Sequence, residues 1–160
     1  MAAITLEQLE EERDRFADLI ARFKAQANTT LLRIPEAEIE LRPGERYAGA
    51  VLDADGKVMH HLVLLAETPG KKLNWDDAKL WAESVGGSLP TRQEHALLFA
   101  NCKPHLETCW HWSSEAHESD ASSAWYCTFG YGYQLSGLHK SYEGGAVAVR
   151  LILRSFDPLN

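Results

Sequence analysis

The chain has 160 residues, of which 45% are hydrophobic and 24% are charged, and this balance is typical of a folded globular protein. A chain of this length can form one full hydrophobic core, but not two ordinary ones. The formal net charge of −7, without a dense run of Lys and Arg, argues against direct binding of nucleic acid.

The N-terminus runs straight into a charged segment, without the basic and apolar regions of a secretion signal. No uncharged stretch approaches the roughly 18 residues that span a bilayer. We therefore expect a soluble protein that is made in a cytoplasm, carries no signal peptide and does not insert into a membrane.

The first predicted element is a helix over residues 5–27. Thr5 and Gln8 have the spacing of a capping box, and no Gly or Pro follows before residue 28. One interpretation is an amphipathic helix packed on its own domain, and the other is a short coiled coil, although Arg13 interrupts the apolar stripe. We predict that residues 1–28 form a self-association segment of a homo-oligomer and that residues 29–160 form the domain. The stripe consists of Leu6, Leu9, Phe16, Leu19, Ile20 and Phe23.

Segments with β character follow the helix. Residues 30–34 and 39–41 are short candidates, and residues 46–66 are predicted to form a β-hairpin whose turn runs from Asp53 to Gly56. His60 and His61 lie in its second strand, one facing the sheet and one facing solvent, and we expect a structural role for both.

The middle of the chain is predicted to contain two helices. Asn74 caps the first, which ends at Gly86 and Gly87, and Thr91 and Glu94 form a second capping box. The apolar positions of the first helix are expected to lie largely inside the core, and these are Trp75, Ala78, Leu80, Trp81, Ala82 and Val85.

The last third of the chain has the pattern of short strands and long turns. Residues 110–114 and 124–129 alternate with a period of two, and residues 147–153 are predicted to form a buried closing strand. Trp112, Trp125 and Phe129 are expected to point into the core. Residues 115–123 are polar, and residues 130–133 form a turn or bulge with aromatic side chains.

These elements together resemble a C-type-lectin-like domain over about residues 45–153. The likeness is to a branch found in bacterial, phage and prophage proteins, related to the C-terminal domain of a collagen-like bacterial adhesin. It implies an α+β fold, with two helices packed on a small antiparallel sheet and a long-loop region that offers a ligand surface. The matching residues are Trp75, Ala78, Gly86, Gly87, Leu89, Pro90, Thr91, Glu94, Trp112, Ser113, Ser114, Ala124, Trp125, Phe129, Ala148, Val149 and Arg150.

The sequence departs from the sugar-binding members of that family. Their Glu-Pro-Asn or Gln-Pro-Asp and Trp-Asn-Asp triplets are absent. Glu115, Glu118 and Asp120 share one loop, but calcium requires about six to eight converging oxygens, so we expect no calcium. The disulfide that secreted relatives carry between the first helix and the last strand has no counterpart at Ala78 and Leu151, which fits a cytoplasmic or virion protein.

Catalytic patterns are weak in this sequence. The broad fold includes formylglycine-generating enzymes with paired cysteines, but their motif residues are not recognisable here, and whether Cys109 and Cys127 lie close together is open. Cys109 and His111 share a strand face without an orienting acid or an oxyanion hole. Cys102 and the other two cysteines are expected to be buried apolar groups. We therefore predict that the protein is not an enzyme and has no cofactor or metal.

The resulting functional hypothesis is a phage- or prophage-type binding module, located in the host cytoplasm or the virion. It would recognise a protein or glycan through its 115–145 loops. The alternatives are an intracellular phage-encoded inhibitor or interaction protein that acts on a host protein complex, and a virion decoration protein. Residues expected on turns or outward faces, where Tyr and His offer rigid area with a polar tip, are His111, His117, Glu118, Asp120, Tyr131, Tyr133, His139, Lys140 and Tyr142.

Overall fold

A computed structural model describes residues 5–27 and 37–153, and the chain divides into two compact units, residues 1–39 and 40–160. The first unit contains helix α1, Leu6–Ala27. Its predicted capping box is confirmed, because the Gln8 backbone N–H donates to Thr5 Oγ1 at 3.3 Å and the Thr5 N–H donates to Gln8 Oε1 at 3.0 Å. The predicted domain boundary after residue 28 and the predicted β segment at 30–34 lie outside the described residues.

The second unit has an α+β architecture, as predicted, with two three-stranded antiparallel sheets. The first sheet has the order β1-β2-β6, and its strands are Arg46–Leu52, Val58–Leu64 and Val149–Leu153. The second has the order β3-β4-β5, and its strands are Trp110–Ala116, Ser123–Thr128 and Tyr133–His139. Helices α2 and α3 are Trp75–Ser84 and Arg92–Cys102, and a 3₁₀ turn spans Lys103–His105. Among the described helices, none is both long and apolar enough to cross a lipid bilayer.

The predicted hairpin is confirmed, and Asp53 organises its turn. Asp53 Oδ1 accepts hydrogen bonds from the backbone N–H groups of Asp55 and Lys57, both at 2.9 Å. The prediction of a strand at residues 39–41 is wrong. The Glu40 carbonyl instead accepts a hydrogen bond from the Arg150 side chain at 2.7 Å, so this segment is held by a side chain rather than by a β-ladder.

Helix α3 contacts both sheets, and α2 packs on β3. Two reciprocal hydrogen bonds join the α2 region to β3: Trp75 Nε1 donates to the Ser113 carbonyl at 2.8 Å, and Trp112 Nε1 donates to the Leu73 carbonyl at 2.9 Å. Leu80 is 63% exposed, so its predicted place in the core is wrong. It lies on the solvent side of α2, whereas Trp75, Ala78 and Ala82 are buried.

The closing strand β6 is only half buried, which corrects the prediction of a buried strand. Val149 is fully buried, but Leu151 and Leu153 are exposed. Strand β6 pairs with β2 on one side and lies at the edge of its sheet. Val149, Leu151 and Leu153 lie on the same face of the strand, so burial decreases along this face toward the C-terminal end of β6.

The loops predicted within residues 115–145 are interrupted by two strands, of which the one at residues 124–129 was predicted and the one at Tyr133–His139 was not. Strands β4 and β5 occupy much of this region, and β5 is the edge strand of its sheet. Between the pairs Ala124–Leu138 and Tyr126–Leu135 the register shifts, so β5 contains a β-bulge. Gly137 has a φ of 83° there, a conformation that other residues rarely adopt.

Candidate functional site

An exposed aromatic pair lies at the start of β5. The rings of Tyr131 and Tyr133 are stacked with centroids 5.7 Å apart, and both side chains are largely exposed. Leu135 follows on the same face of the strand as Tyr133 and is 42% exposed. These three residues are called the β5 surface below. The prediction that Tyr131 and Tyr133 face outward is confirmed.

A second cluster surrounds Trp125. The Arg92 guanidinium lies 3.5 Å from the centre of the indole ring, and the His117 ring stacks on the indole at 5.9 Å. Trp125 Nε1 donates to Glu118 Oε2 at 3.2 Å, and Glu118 also forms an ion pair with Arg92 at 3.6 Å. These four residues are called the Trp125 stack. The predicted core position of Trp125 is wrong: it is half buried, the register shifts of β3 and β5 fall opposite it, and its ring lies against Arg92, the first residue of α3.

The β5 surface and the Trp125 stack lie on opposite faces of one sheet edge. Gln134 donates its side-chain amide to the Arg92 carbonyl and so faces the Trp125 stack. Since adjacent residues of a strand point in opposite directions, Tyr133 and Leu135 face the other way. The edge strand thus presents apolar area on one side and charged groups beside an indole on the other.

The remaining predicted residues have different surroundings. Tyr142 and His139 are exposed, and His139 Nδ1 lies 2.8 Å from the Ser141 hydroxyl. Lys140 Nζ donates to the Ala121 carbonyl at 2.7 Å and lies 4.2 Å from the centre of the Trp75 ring. These contacts hold Lys140 in the connection between β5 and β6.

The Asp120 carboxylate is hydrogen-bonded within a local turn. Its carboxylate accepts hydrogen bonds from the Ser122 N–H and hydroxyl, at 3.0 and 2.6 Å, and from the Ser123 hydroxyl at 2.6 Å. These bonds, led by the Ser122 hydroxyl, lower the pKa of Asp120 to about 2. Its role in the structure is therefore to order the turn before β4, which leaves less of the carboxylate free for a ligand.

The prediction that His111 faces outward is wrong, since its side chain is 2% exposed. His111 pairs with Cys127 across the sheet, and its ring lies 4.9 Å from the ring of Phe129. Gly145 lies against the ring so closely that a Cβ atom there would be 2.7 Å from the imidazole. Burial lowers the pKa of His111 to about 4, so the ring is neutral at pH 7.

His111 instead lies at a cleft that the sequence did not predict. The cleft has a volume of about 270 Å³ and is lined by residues 68–72, 105–107, 111 and 145–147. Three of its residues, Lys72, Glu107 and His111, surround the sulfur of Cys109, which is half buried and forms no disulfide. Cys102 and Cys127 are also free and are buried, as predicted.

The contacts of Cys109 are close and of several kinds. Its Sγ atom lies 2.7 Å from Lys72 Nζ, 3.4 Å from Glu107 Oε2 and 3.9 Å from His111 Nδ1. The hydrogen bond with Cys109, followed by that with Lys72, lowers the pKa of Glu107, and the hydrogen bond with Cys109 raises the pKa of Lys72. Lys72, Glu107, Cys109 and His111 are called the Cys109 cluster.

Part of this cluster has a signal in the sequence. Glu107, Cys109 and His111 are spaced two residues apart, and in an extended segment this spacing places three side chains on one side. Lys72 is far away along the chain, and no local pattern connects it with them.

No protein-family model matches this sequence, and no curated protein is similar to it. What the chain binds is therefore inferred from its own side chains.

Proposed function

We propose that this chain is a non-catalytic binding module of phage or prophage type with a C-type-lectin-like fold. It recognises a protein or glycan through the β5 surface and the adjoining Trp125 stack, without calcium, and it self-associates through α1. The observation that carries the proposal is the stacked and exposed pair Tyr131 and Tyr133 on an edge strand. Two helices and two small antiparallel sheets are consistent with that fold.

The chemistry of the β5 surface suits recognition. Tyrosine side chains offer large contact area with few rotatable bonds, and stacking of Tyr131 on Tyr133 restricts them further before a partner binds. Tyr131 and Tyr133 are 77% and 61% exposed, so most of this area is free to be buried. Their hydroxyl groups can hydrogen-bond with sugar hydroxyls or with peptide groups.

The Trp125 stack supplies a polar border to the same edge. The Arg92 guanidinium lies 3.5 Å from the centre of the indole ring and is also paired with Glu118, so its position is set before binding. A partner that covers this edge from both sides would contact aromatic area on one face and oriented polar groups on the other. His139 and Tyr142 are further exposed candidates near the end of β5.

Self-association is proposed from the apolar stripe of α1. Each of its six large hydrophobic side chains is at least 52% exposed. A second copy of α1 offers a matching stripe, and pairing would bury apolar area on both helices. An oligomer would carry several β5 surfaces, and multivalency of this kind raises a weak affinity by about 10² or more.

The test is binding of labelled full-length protein to whole bacterial cells and to a glycan array, each with and without a chelator. The double variant Tyr131→Ala/Tyr133→Ala should lose most of the signal, whereas the control Leu80→Ala removes an equally exposed side chain from α2 and should keep it. The chelator should have no effect. Retention of full binding by the double variant, or loss in chelator, would contradict the proposal.

A second candidate is an intracellular interaction protein that acts on a host complex, and the net charge of −7 favours it because it suits a basic protein surface. In that case cells and glycans would not be bound. A purified host complex retained by the wild-type protein, and released by Tyr131→Ala/Tyr133→Ala, would support this candidate and exclude the first.

A further inference from the structure

The Cys109 cluster combines three metal-ligating side chains in one place. A carboxylate oxygen of Glu107, the sulfur of Cys109 and a ring nitrogen of His111 all lie within 4.8 Å of one another. Glu107 and Cys109 lie in the bend before β3 and His111 lies in β3 itself, so one short segment of the chain supplies all three groups. His111 anchors the group, because its buried ring is enclosed by Phe129 and Gly145.

The separations of these atoms match those of ligands around one small cation. In a tetrahedral zinc site with bonds of about 2.0–2.3 Å, the ligand atoms lie about 3.3–3.8 Å apart. Cys109 Sγ lies 3.4 Å from Glu107 Oε2 and 3.9 Å from His111 Nδ1. The third separation, between the Glu107 carboxylate and the His111 ring, is at most 4.8 Å, and rotation of the exposed Glu107 side chain can shorten it.

A cation already lies between two of these groups. The Lys72 ammonium contacts Cys109 Sγ at 2.7 Å and Glu107 Oε2 at 3.3 Å. Lys72 is 45% exposed along its side chain, and such exposed ion pairs are weak, so the ammonium can leave toward solvent when a stronger cation arrives. Lys72 would therefore compete with a metal ion for the sulfur and the carboxylate.

We propose that Glu107, Cys109 and His111 bind a thiophilic divalent transition-metal ion of the Zn²⁺ type, with a fourth coordination position open to the 270 Å³ cleft. The proposal goes beyond recognition at the β5 surface and does not depend on it. One sulfur, one imidazole nitrogen and one carboxylate oxygen form a ligand set that selects Zn²⁺, Co²⁺ or Ni²⁺ over Ca²⁺ and Mg²⁺.

Binding involves two proton changes. The thiol proton of Cys109 is released to solvent as the Zn–S bond forms. His111 Nδ1 lies 3.0 Å from the Cys109 carbonyl in this structure, and in the metal-bound form the ring carries its proton on Nε2, which frees the Nδ1 lone pair for the metal. Three protein ligands with one open position are the arrangement of zinc sites that take water or an exogenous ligand.

The test is titration of the full-length, chelator-treated protein with Zn²⁺ against a chromophoric competitor, and with Co²⁺ followed by absorption. We expect one ion per chain and a sulfur-to-cobalt charge-transfer band. Cys109→Ser and Glu107→Gln change exposed or half-exposed side chains and should weaken Zn²⁺ binding by at least about 10-fold, as even indirect partners of metal ligands do. Cys109→Ser should also abolish the band.

Two further variants separate a built site from incidental binding by surface histidines. Lys72→Ala removes the competing ammonium and should tighten Zn²⁺ binding. Binding by surface histidines would not be affected by this substitution. His139→Ala, an exposed histidine elsewhere, should leave affinity and stoichiometry unchanged. A Co²⁺ spectrum without the sulfur band, or a stoichiometry that Cys109→Ser retains and His139→Ala reduces, would overturn the proposal.

Discussion

His60 Nε2 lies 2.9 Å from Glu94 Oε1, which joins the second strand of the hairpin to the first turn of α3. The other oxygen of Glu94 accepts a hydrogen bond from the Thr91 N–H at 2.8 Å and completes the capping box. Both side chains are almost fully buried. One carboxylate therefore serves local helix initiation and the packing of the helix on the first sheet.

Glu94→Ala should strongly destabilise the second unit, because it removes the helix cap and leaves the His60 ring nitrogen and the Thr91 N–H without their acceptor. We expect the free energy of unfolding in urea to fall by about 2–4 kcal/mol. Glu83→Ala, at an exposed position of α2, should change it by less than about 0.5 kcal/mol. Equal stability of the two variants would show that the double role of Glu94 is unimportant.

The pair Glu45 and Arg150 should make stability depend on acid pH. Arg150 donates Nε and an Nη to the two carboxylate oxygens at 2.9 and 2.7 Å, and this bonding lowers the pKa of Glu45 below its usual 4.5. The stabilisation is then present above pH 4.5 and is lost as pH falls through the lowered value. Glu45→Gln should cost about 1–3 kcal/mol at pH 7 and progressively less below pH 4.5.

The measurement for Glu45 is urea unfolding at a series of pH values for the wild type, for Glu45→Gln and for the surface control Glu67→Gln. The free energy of unfolding should depend on pH in the same way for the wild type and the control. The value for Glu45→Gln should approach theirs at low pH. A constant offset between wild type and Glu45→Gln would contradict the assignment.

His95 is a buried histidine whose two ring nitrogens have no hydrogen-bond partner among the described residues. Burial, with a smaller contribution from His111, lowers its pKa to about 3. The unfolded chain therefore binds a proton that the folded chain does not, and stability falls as pH decreases below the ordinary value of 6.5.

Replacing His95 by Leu should consequently stabilise the protein at pH 7 by about 1 kcal/mol, since the unpaired polar atoms are removed. At pH 5 the advantage should be larger by about 2 kcal/mol. Each pH unit below the pKa of the unfolded histidine lowers the free energy of unfolding of the wild type by about 1.4 kcal/mol. Thermal or urea unfolding at both pH values measures this, with the exposed His139→Gln as the control. The His95 ring also packs edge-to-face on the Phe129 ring, with centroids 5.4 Å apart. A loss of stability that does not depend on pH would mean that this packing dominates.

Removing the N-terminal helix should change the mass of the particle. Light scattering should show an oligomer for the full-length chain and a folded monomer for a chain that begins at Thr29, because the apolar stripe of α1 is lost. Phe16→Glu places a charge in the stripe and should also give a monomer, whereas Ala21→Glu adds the same charge on the other side of α1 and should not. If the full-length chain is also a monomer, self-association through α1 is ruled out, together with the avidity that depends on it.

Local signals predicted much of the fold. The capping pairs Thr5–Gln8 and Thr91–Glu94 and the Asp53 turn act within four residues, so their geometry follows from sequence spacing alone. Strand β5 was missed because Gly130, Gly132 and its polar positions resemble a turn. Its strand geometry depends on pairing with β4, which no local pattern shows.

The candidate site was predicted less completely for the same reason. Tyr131 and Tyr133 are outward-facing as expected, but a register shift beside Trp125 and the packing of His111 against Phe129 reversed two assignments. The Cys109 cluster depends on a contact between Lys72 and Cys109, which are 37 residues apart in the sequence. Such a contact forms only in the folded chain, and the periodicity of one segment cannot predict it.

The bulge at Gly137 has a consequence for the aggregation of this protein. An open strand with exposed aromatic residues is a template on which identical chains can stack into fibres. The additional residue in β5 breaks the regular spacing of backbone groups along that edge, so a neighbouring strand can align with only part of it. The exposed tyrosines can thus lie on an edge strand whose bulge limits the addition of further strands.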